Sequence, residues 1–177
     1  VPSLAPRVAA HHPLRGAPHA VRWQAGRFTR LDHAADGSGE LVFTHPARAG
    51  ETALRRAVRD FYEAQGRADV GRWLPPYLPA LPRAPRRVTF KIMSSQWGSL
   101  APDGSMALDL SLVLARPSAF EYVLVHELCH LIHADHSRAF WREVEARCPH
   151  WRDEREYFHA EGRRLKATLR ALCGKAA

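Results

Sequence analysis

The sequence is organised around residues 122–137, which read YVLVHELCHLIHADHS from Tyr122 to Ser137. Apolar residues in this stretch cover most sides of a helical projection, as expected for a helix buried on several faces. Just upstream, Ser118 and Glu121 form an S-x-x-E capping box, which is typical of a helix start. We therefore predict a largely buried helix over residues 119–133 that runs through the centre of the domain.

Two histidines on this helix are spaced to share one ion. His126 and His130 are four residues apart, so their side chains lie on the same face one turn apart. His136 lies beyond the predicted helix end and can return to the same point from the following loop. Three nitrogen ligands with one open position are typical of a catalytic Zn²⁺ rather than a structural one. We predict that His126, His130 and His136 bind zinc.

Glu127 follows the first of these histidines directly. Its offset removes it from the ligand set but leaves its carboxylate close to the metal face, where it can act as general base toward a metal-activated water. Among neighbouring residues, His133 is expected in a supporting or surface role. Asp135 is expected either to orient a ligand histidine or to cap a helix, and Tyr157 is a candidate donor to an oxyanion. The predicted chemistry is hydrolysis of a peptide bond.

The first half of the chain predicts a small sheet and an amphipathic helix. Residues 1–20 are rich in Pro, Ala and His without periodicity, so we expect an extended or disordered arm. Residues 21–31 and 40–44 predict strands around a Gly-rich turn. Residues 50–65 show helical periodicity with Gly66 as the stop signal, and residues 68–74 predict a second, shorter helix.

The second half predicts two strands and three helices. Residues 86–93 and 105–110 alternate in polarity and predict two strands that pair across a loop at residues 94–100. Residues 111–115 either continue the second strand or begin a short helical turn. After the central helix, residues 138–147 predict a helix capped by Ser137. Residues 153–172 predict a terminal helix whose polar face carries Arg163, Arg164, Lys166 and Arg170.

Composition and charge limit the partners and the cellular location that can be expected for the protein. The formal net charge is +8 and the pI is about 10.1, which permits weak nucleic-acid binding without indicating a DNA-binding module. Three cysteines without a C-x-x-C pair favour a reducing, cytoplasmic location. No apolar run approaches the roughly 20 residues needed to cross a bilayer. We expect no membrane association, and no pattern indicates an oligomeric state.

Several motifs together resemble the YgjP-like zinc metallopeptidases, relatives of the SprT-like and WLM metalloproteases. The shared motifs are Trp97-Gly98-Ser99, Tyr122-Val123, the stretch from His126 to Leu131, His136-Ser137 and Phe140-Trp141. The resemblance implies an α+β, zincin-like fold, in which a small mixed or antiparallel sheet packs on the active-site helix and a helical part follows. It implies one metallopeptidase domain over residues 21–177, with His126, His130 and His136 on zinc and Glu127 catalytic.

The resemblance also carries implications for the substrate. In zincins an edge strand pairs with an extended peptide, which implies residues 105–110 for that role. Three positions depart from the family pattern: Gln96 stands where Arg is usual, Leu100 where Cys is usual, and Asp109 where Asn is usual. These departures leave the ligand set intact but concern the loop that would contact the substrate.

Three other functions remain open at this point. The SprT-like relatives suggest a protease acting on DNA-bound proteins, which the positive charge would suit. YbeY-like endoribonucleases share the histidine spacing but lack a glutamate after the first histidine, whereas Glu127 is present here. A zinc-stabilised binding module without catalysis is the third alternative, and the open coordination position argues against it.

Overall fold

The computed structural model describes residues 10–174. Within this range the strands are β1 (His11–Leu14), β2 (Ala17–Ala25), β3 (Arg30–His33), β4 (Leu41–His45), β5 (Arg87–Lys91), β6 (Gly98–Leu100) and β7 (Ser105–Asp109). The α-helices are α1 (Glu51–Trp73), α2 (Pro117–Cys129), α3 (Arg138–Arg147) and α4 (Trp151–Cys173), and Pro75–Ala80 and Leu110–Leu114 form 3₁₀ helices. The predicted α+β class, with small sheets and a helical C-terminal part, is confirmed.

A four-stranded mixed sheet, in the order β1-β2-β4-β3, contains the part of the chain expected to be an arm. β1 and β2 form an antiparallel hairpin that turns at Arg15 and Gly16, both with positive φ. Residues 11–20 are therefore part of the sheet, and residues 1–9 lie outside the described range. The sequence of β1 shows no alternation of polar and apolar residues, because one of its two buried positions is a histidine, His12, and the other is Leu14. The strand expected over residues 21–31 is two strands, β2 and β3.

Helix α1 is continuous where two helices were expected. Gly66 is not a stop signal but lies within the helix, facing β5. A Cβ atom at this position would stand 2.7 Å from Cζ of Phe90, so the glycine lets the strand pack directly on the helix. The sequence signal at Gly66 therefore reflects packing rather than helix termination.

The second sheet has three strands in the order β5-β7-β6. β7 pairs in parallel with β5 and antiparallel with β6, so it is the central strand. The expectation that residues 105–110 form an edge strand is therefore wrong, and the edge next to α2 is β6. This three-residue strand lies within the segment expected to be a loop, because it is too short to show alternation.

Helix α2 begins and ends differently from the sequence prediction. Arg116 is its N-cap and Pro117 its first residue, a favoured position for proline. The predicted capping box is absent, since the hydroxyl of Ser118 instead donates to Oε2 of Glu154 at 3.2 Å. The helix ends at Cys129 with His130 as its C-cap. The cap of α3 is confirmed, because Oγ of Ser137 accepts from the Phe140 amide.

One hydrophobic core joins both sheets and all four α-helices of residues 10–174. Helix α2 lies within it, contacting α1, α3, α4, β6 and the 3₁₀ helix Leu110–Leu114. Leu124, Val125 and Leu128 are fully buried. This multi-sided burial explains why apolar residues surround α2. In the described range, no helix combines the length and the apolarity that a bilayer crossing requires.

Candidate metal centre

The three predicted ligand histidines meet at one point. His126 lies in the last turn of α2, His130 caps that helix, and His136 stands in the loop before α3. One ring nitrogen from each lies within 4.8 Å of the others, and Nε2 of His126 is 3.4 Å from Nε2 of His136. Two nitrogens bound to one tetrahedral zinc at about 2.0–2.1 Å are roughly 3.3 Å apart. The donor set therefore fits a zinc ion.

The orientation of His130 is set by the backbone and by Phe140. Nδ1 of His130 lies 3.0 Å from the carbonyl oxygen of His133 and donates a hydrogen bond to it. This bond selects the tautomer whose Nε2 carries a free lone pair, which is the form that binds a metal. The ring stacks on Phe140 with centroids 4.4 Å apart. His133 thus supports the ligand set through its backbone, as its predicted supporting role allows.

The loop after α2 returns His136 to the centre. Oδ1 of Asp135 accepts from the amide of Ser137 at 3.2 Å, and Oγ of Ser137 accepts from the amide of Phe140 at 3.3 Å. Neither role predicted for Asp135 is seen among the described residues, since Ser137 is the N-cap of α3 and Asp135 instead stabilises the turn before that cap. Trp141 covers the other side of the cluster, with ring centroids 5.6 Å from His126 and 6.3 Å from His136. Phe140 and Trp141 therefore pack against the rings of the three histidines.

Burial keeps the centre in the protonation state that a cation requires. Burial, with smaller contributions from the neighbouring charges of His130, His136 and Arg155, lowers the pKa of His126 to about 4. The pKa of His130 is also lowered, mainly by burial. A neutral imidazole is the metal-binding form, so the two rings are prepared to accept a cation near neutral pH.

Glu127 lies beside the histidines and against β6. Its side chain is 6% exposed, and burial raises its pKa to about 7. A Cβ atom added to Gly98 would stand 2.9 Å from Cγ and 3.1 Å from Oε2 of Glu127. Glycine at position 98 therefore makes room for the carboxylate. Within residues 10–174, this carboxylate has no hydrogen-bond partner.

Two cavities open on either side of this point. The smaller, of about 330 Å³, is lined by Ser95, Gln96, Trp97, Tyr122, Val123, Arg155, Phe158 and His159. The larger, of about 530 Å³, is lined by Arg83, Ser99, Leu100, Ala101, Pro102, His130, Ala134 and His136. Gly98, His126 and Glu127 line both. The candidate centre thus lies where two cavities meet beneath the edge strand β6.

Helix α4 holds the loop that leads into β6. Nζ of Lys166 donates to the carbonyl oxygens of Met93 and Gln96 at 3.0 and 2.8 Å, and lies 3.2 Å from Oδ2 of Asp109. Lys166 is 8% exposed, so the prediction that it lies on the polar face of the terminal helix is wrong. The sequence signal that was missed is the position of Asp109, an acidic residue between Leu108 and Leu110. Asp109, where the family pattern has Asn, is the fully buried partner.

Tyr157 is not at the centre. Its hydroxyl accepts from the amide of Arg116 at 3.1 Å, and it lines neither cavity. The tyrosine beside the histidines is Tyr122, which lies one helical turn before His126 and lines the smaller cavity. Burial raises its pKa to about 12, so the phenol remains a hydrogen-bond donor at neutral pH. This residue belongs to the Tyr122-Val123 motif, but the sequence did not indicate that its ring lies 6.0 Å from that of His126, measured between centroids.

Comparisons with known proteins identify the family of this chain. No curated protein matches the chain. A solved structure, the metallopeptidase zymogen abylysin of Pyrococcus abyssi, is 22% identical with a TM-score of 0.41; the match covers 61% of this chain and 95% of that one. The family model of the YgjP-like metallopeptidase domain matches residues 5–161. Since this match spans most of the sequence, the chain belongs to the YgjP-like metallopeptidase family and is a hydrolase.

Proposed function

We propose that this protein is a zinc-dependent peptidase in which His126, His130 and His136 hold the metal. The observation that carries the proposal is the convergence of three histidine nitrogens beside one buried carboxylate. Three imidazoles with an open fourth position suit Zn²⁺. When bound there, zinc supplies a Lewis acid and lowers the pKa of a coordinated water.

Glu127 is proposed as the general base. Its carboxylate lines both cavities and has no protein partner in the described range, so both oxygens are available to a water molecule. It would accept the proton of that water and deliver it to the leaving amine. Tyr122, still protonated and at the wall of the smaller cavity, is a candidate donor to the oxygen of the scissile carbonyl.

The edge strand β6 is proposed to bind the substrate backbone. An extended peptide can add to an exposed sheet edge through main-chain hydrogen bonds. Such a peptide beside β6 would pass over Glu127 with one end directed to each cavity, because Gly98 lines both and Leu100 lines the larger. Family membership favours a peptide here over RNA, and the three free thiols of the chain suit a cytoplasmic setting.

The test is the substitution Glu127→Gln, with metal content and cleavage measured on the same preparations. We expect one zinc per chain by elemental analysis and a fall in kcat of roughly 10²- to 10⁴-fold, the usual contribution of a general base. Glu156→Gln is the matched control, because Glu156 is exposed on α4 and lines neither cavity. Unchanged cleavage by Glu127→Gln would refute the base role. A fall in zinc content would show that the residue acts on the metal site instead.

A further inference from the structure

The smaller cavity beside Glu127 has a distinct chemistry. Its walls include the apolar side chains of Trp97, Val123 and Phe158. Trp97 is fixed against α4, with its ring centroid 4.4 Å from that of Phe158 and its Cζ2 3.0 Å from where a Cβ on Gly162 would lie. The cavity is therefore a recess with an apolar wall packed against α4, and its charged and basic lining residues are His126 and Glu127 of α2 and two residues of α4.

The two residues of α4 are Arg155 and His159, which lie one helical turn apart. Among the other arginines of this helix, Arg152 pairs with Glu145 at 3.3 Å and Arg164 with Glu161 at 2.6 Å, whereas the exposed Arg163 has no ion pair among residues 10–174. Arg155 has no carboxylate or carbonyl partner among residues 10–174, and its guanidinium lies 5.9 Å from the Trp141 ring centroid. A guanidinium without an ion-pair partner at the exposed wall of a partly apolar cavity is suited to a carboxylate, which it can bind through two parallel hydrogen bonds.

We propose that this cavity is a specificity subsite for a carboxylate of the peptide substrate, with Arg155 as its cationic partner. The inference rests on the proposed peptidase function and adds the class of substrate. A volume of about 330 Å³ lies at the low end of ligand pockets, which fits one side chain or one chain terminus. The carboxylate belongs either to an aspartate or glutamate next to the cleaved bond or to the C-terminus of a short peptide.

The experiment begins with the zinc-loaded protein and a mixed peptide library, whose cleavage positions are read by mass spectrometry. Peptides that differ only by Glu, Gln or Lys at the selected position, each with a free or amidated C-terminus, are then compared by kcat/KM. We expect the Glu peptide to exceed its Gln counterpart by about tenfold, the effect of one charge-assisted contact. If the free terminus is preferred instead, by a similar factor over the amide, the terminal carboxylate is the ligand.

Substitution of Arg155 assigns the preference to that residue. Arg155→Gln should remove the preference, and Arg155→Glu should transfer it to the Lys peptide. Arg163→Glu makes the same charge change at an exposed position on α4 that lines neither cavity, and should leave the preference intact. Wild-type protein that shows no preference for a carboxylate, or Arg155→Gln protein that retains one, would overturn the proposal.

A binding measurement separates this proposal from the peptidase function. The zinc-loaded Glu127→Gln variant is titrated with the same peptides while tryptophan fluorescence is followed, since Trp97 forms a wall of the cavity. Binding of the carboxylate peptide about tenfold tighter than its neutral counterpart supports the subsite even if no peptide is cleaved. Cleavage with equal binding of both peptides would leave the peptidase function standing and reject the subsite.

Discussion

In the proposed mechanism, the close approach of Gly98 to Glu127 makes the edge strand part of the catalytic geometry. Gly98→Ala adds a Cβ atom 2.9 Å from Cγ of Glu127, whereas ordinary van der Waals contacts lie at 3.4–4 Å. The backbone does not oppose this change, because Gly98 is not among the glycines with positive φ. The carboxylate or the strand must therefore move by roughly 0.5 Å or more, which is the range in which catalytic groups lose alignment.

The expected result is a fall in kcat with zinc content unchanged. A misplacement of about 1 Å can reduce a rate by about 10²-fold, so we expect a decrease of roughly 10- to 100-fold. Crowding should also lower the free energy of unfolding by about 1–3 kcal/mol. The assay compares kcat on one peptide substrate, zinc per chain and urea unfolding for the two proteins.

Gly71→Ala is the matched control for this substitution. Gly71 is exposed in α1, and an added Cβ there meets nothing within 4 Å. Its activity should be unchanged and its stability about 0.5–1 kcal/mol higher, as for other exposed helical glycines. Wild-type kcat in Gly98→Ala would refute the idea that β6 positions the carboxylate. Loss of zinc would show that the added methyl group disturbs the histidines instead.

Three further predictions concern stability. In the metal-free protein, burial lowers the pKa of His12 from 6.5 to about 4. As the pH falls, the unfolded chain protonates His12 before the folded protein does, so the free energy of unfolding is highest above pH 6.5 and falls by about 3 kcal/mol as the pH approaches 4. In urea unfolding, His12→Leu should lack this part of the pH dependence. Parallel pH dependences for wild type and His12→Leu would contradict the prediction. Lys166→Met should lower the free energy of unfolding by about 3–5 kcal/mol, because Asp109 keeps a buried charge. Adding Asp109→Asn should restore part of it, and strictly additive losses would contradict the coupling. Zinc at a hundred times its wild-type Kd should raise the wild-type free energy of unfolding by about 2.7 kcal/mol. An equal rise in His130→Ala at the same zinc concentration would argue against His130 as a ligand.

Local patterns in the sequence predicted the elements that depend on local interactions. The spacing of His126 and His130 follows from helical geometry, and the cap at Ser137 needs only the next three residues. Both features are as expected in the structure. The central position of α2 was also predicted, because an apolar surface on most sides of a helix requires neighbours on most sides.

The incorrect predictions share a dependence on distant residues. Ser118 has a nearby Glu121 in sequence, yet its hydroxyl bonds Glu154 of α4. Gly66 resembles a helix stop, but its role is to contact Phe90 of β5. The order of strands in the second sheet depends on which strands meet after the chain crosses the molecule. Local patterns hold no information on these partners, and the identity of the edge strand was missed for this reason.

The division of labour between α2 and α4 gives these observations a common basis. In the proposed mechanism, helix α2 and the loop after it supply the three metal-binding nitrogens and the catalytic carboxylate. Helix α4 borders the proposed substrate subsite: Lys166 donates hydrogen bonds to the loop before β6, Gly162 accommodates Trp97, and Arg155 stands at the cavity wall. Substitution of Arg155 on α4 should therefore change which peptide is cleaved while leaving the metal in place, and substitution of His126 on α2 should remove the metal.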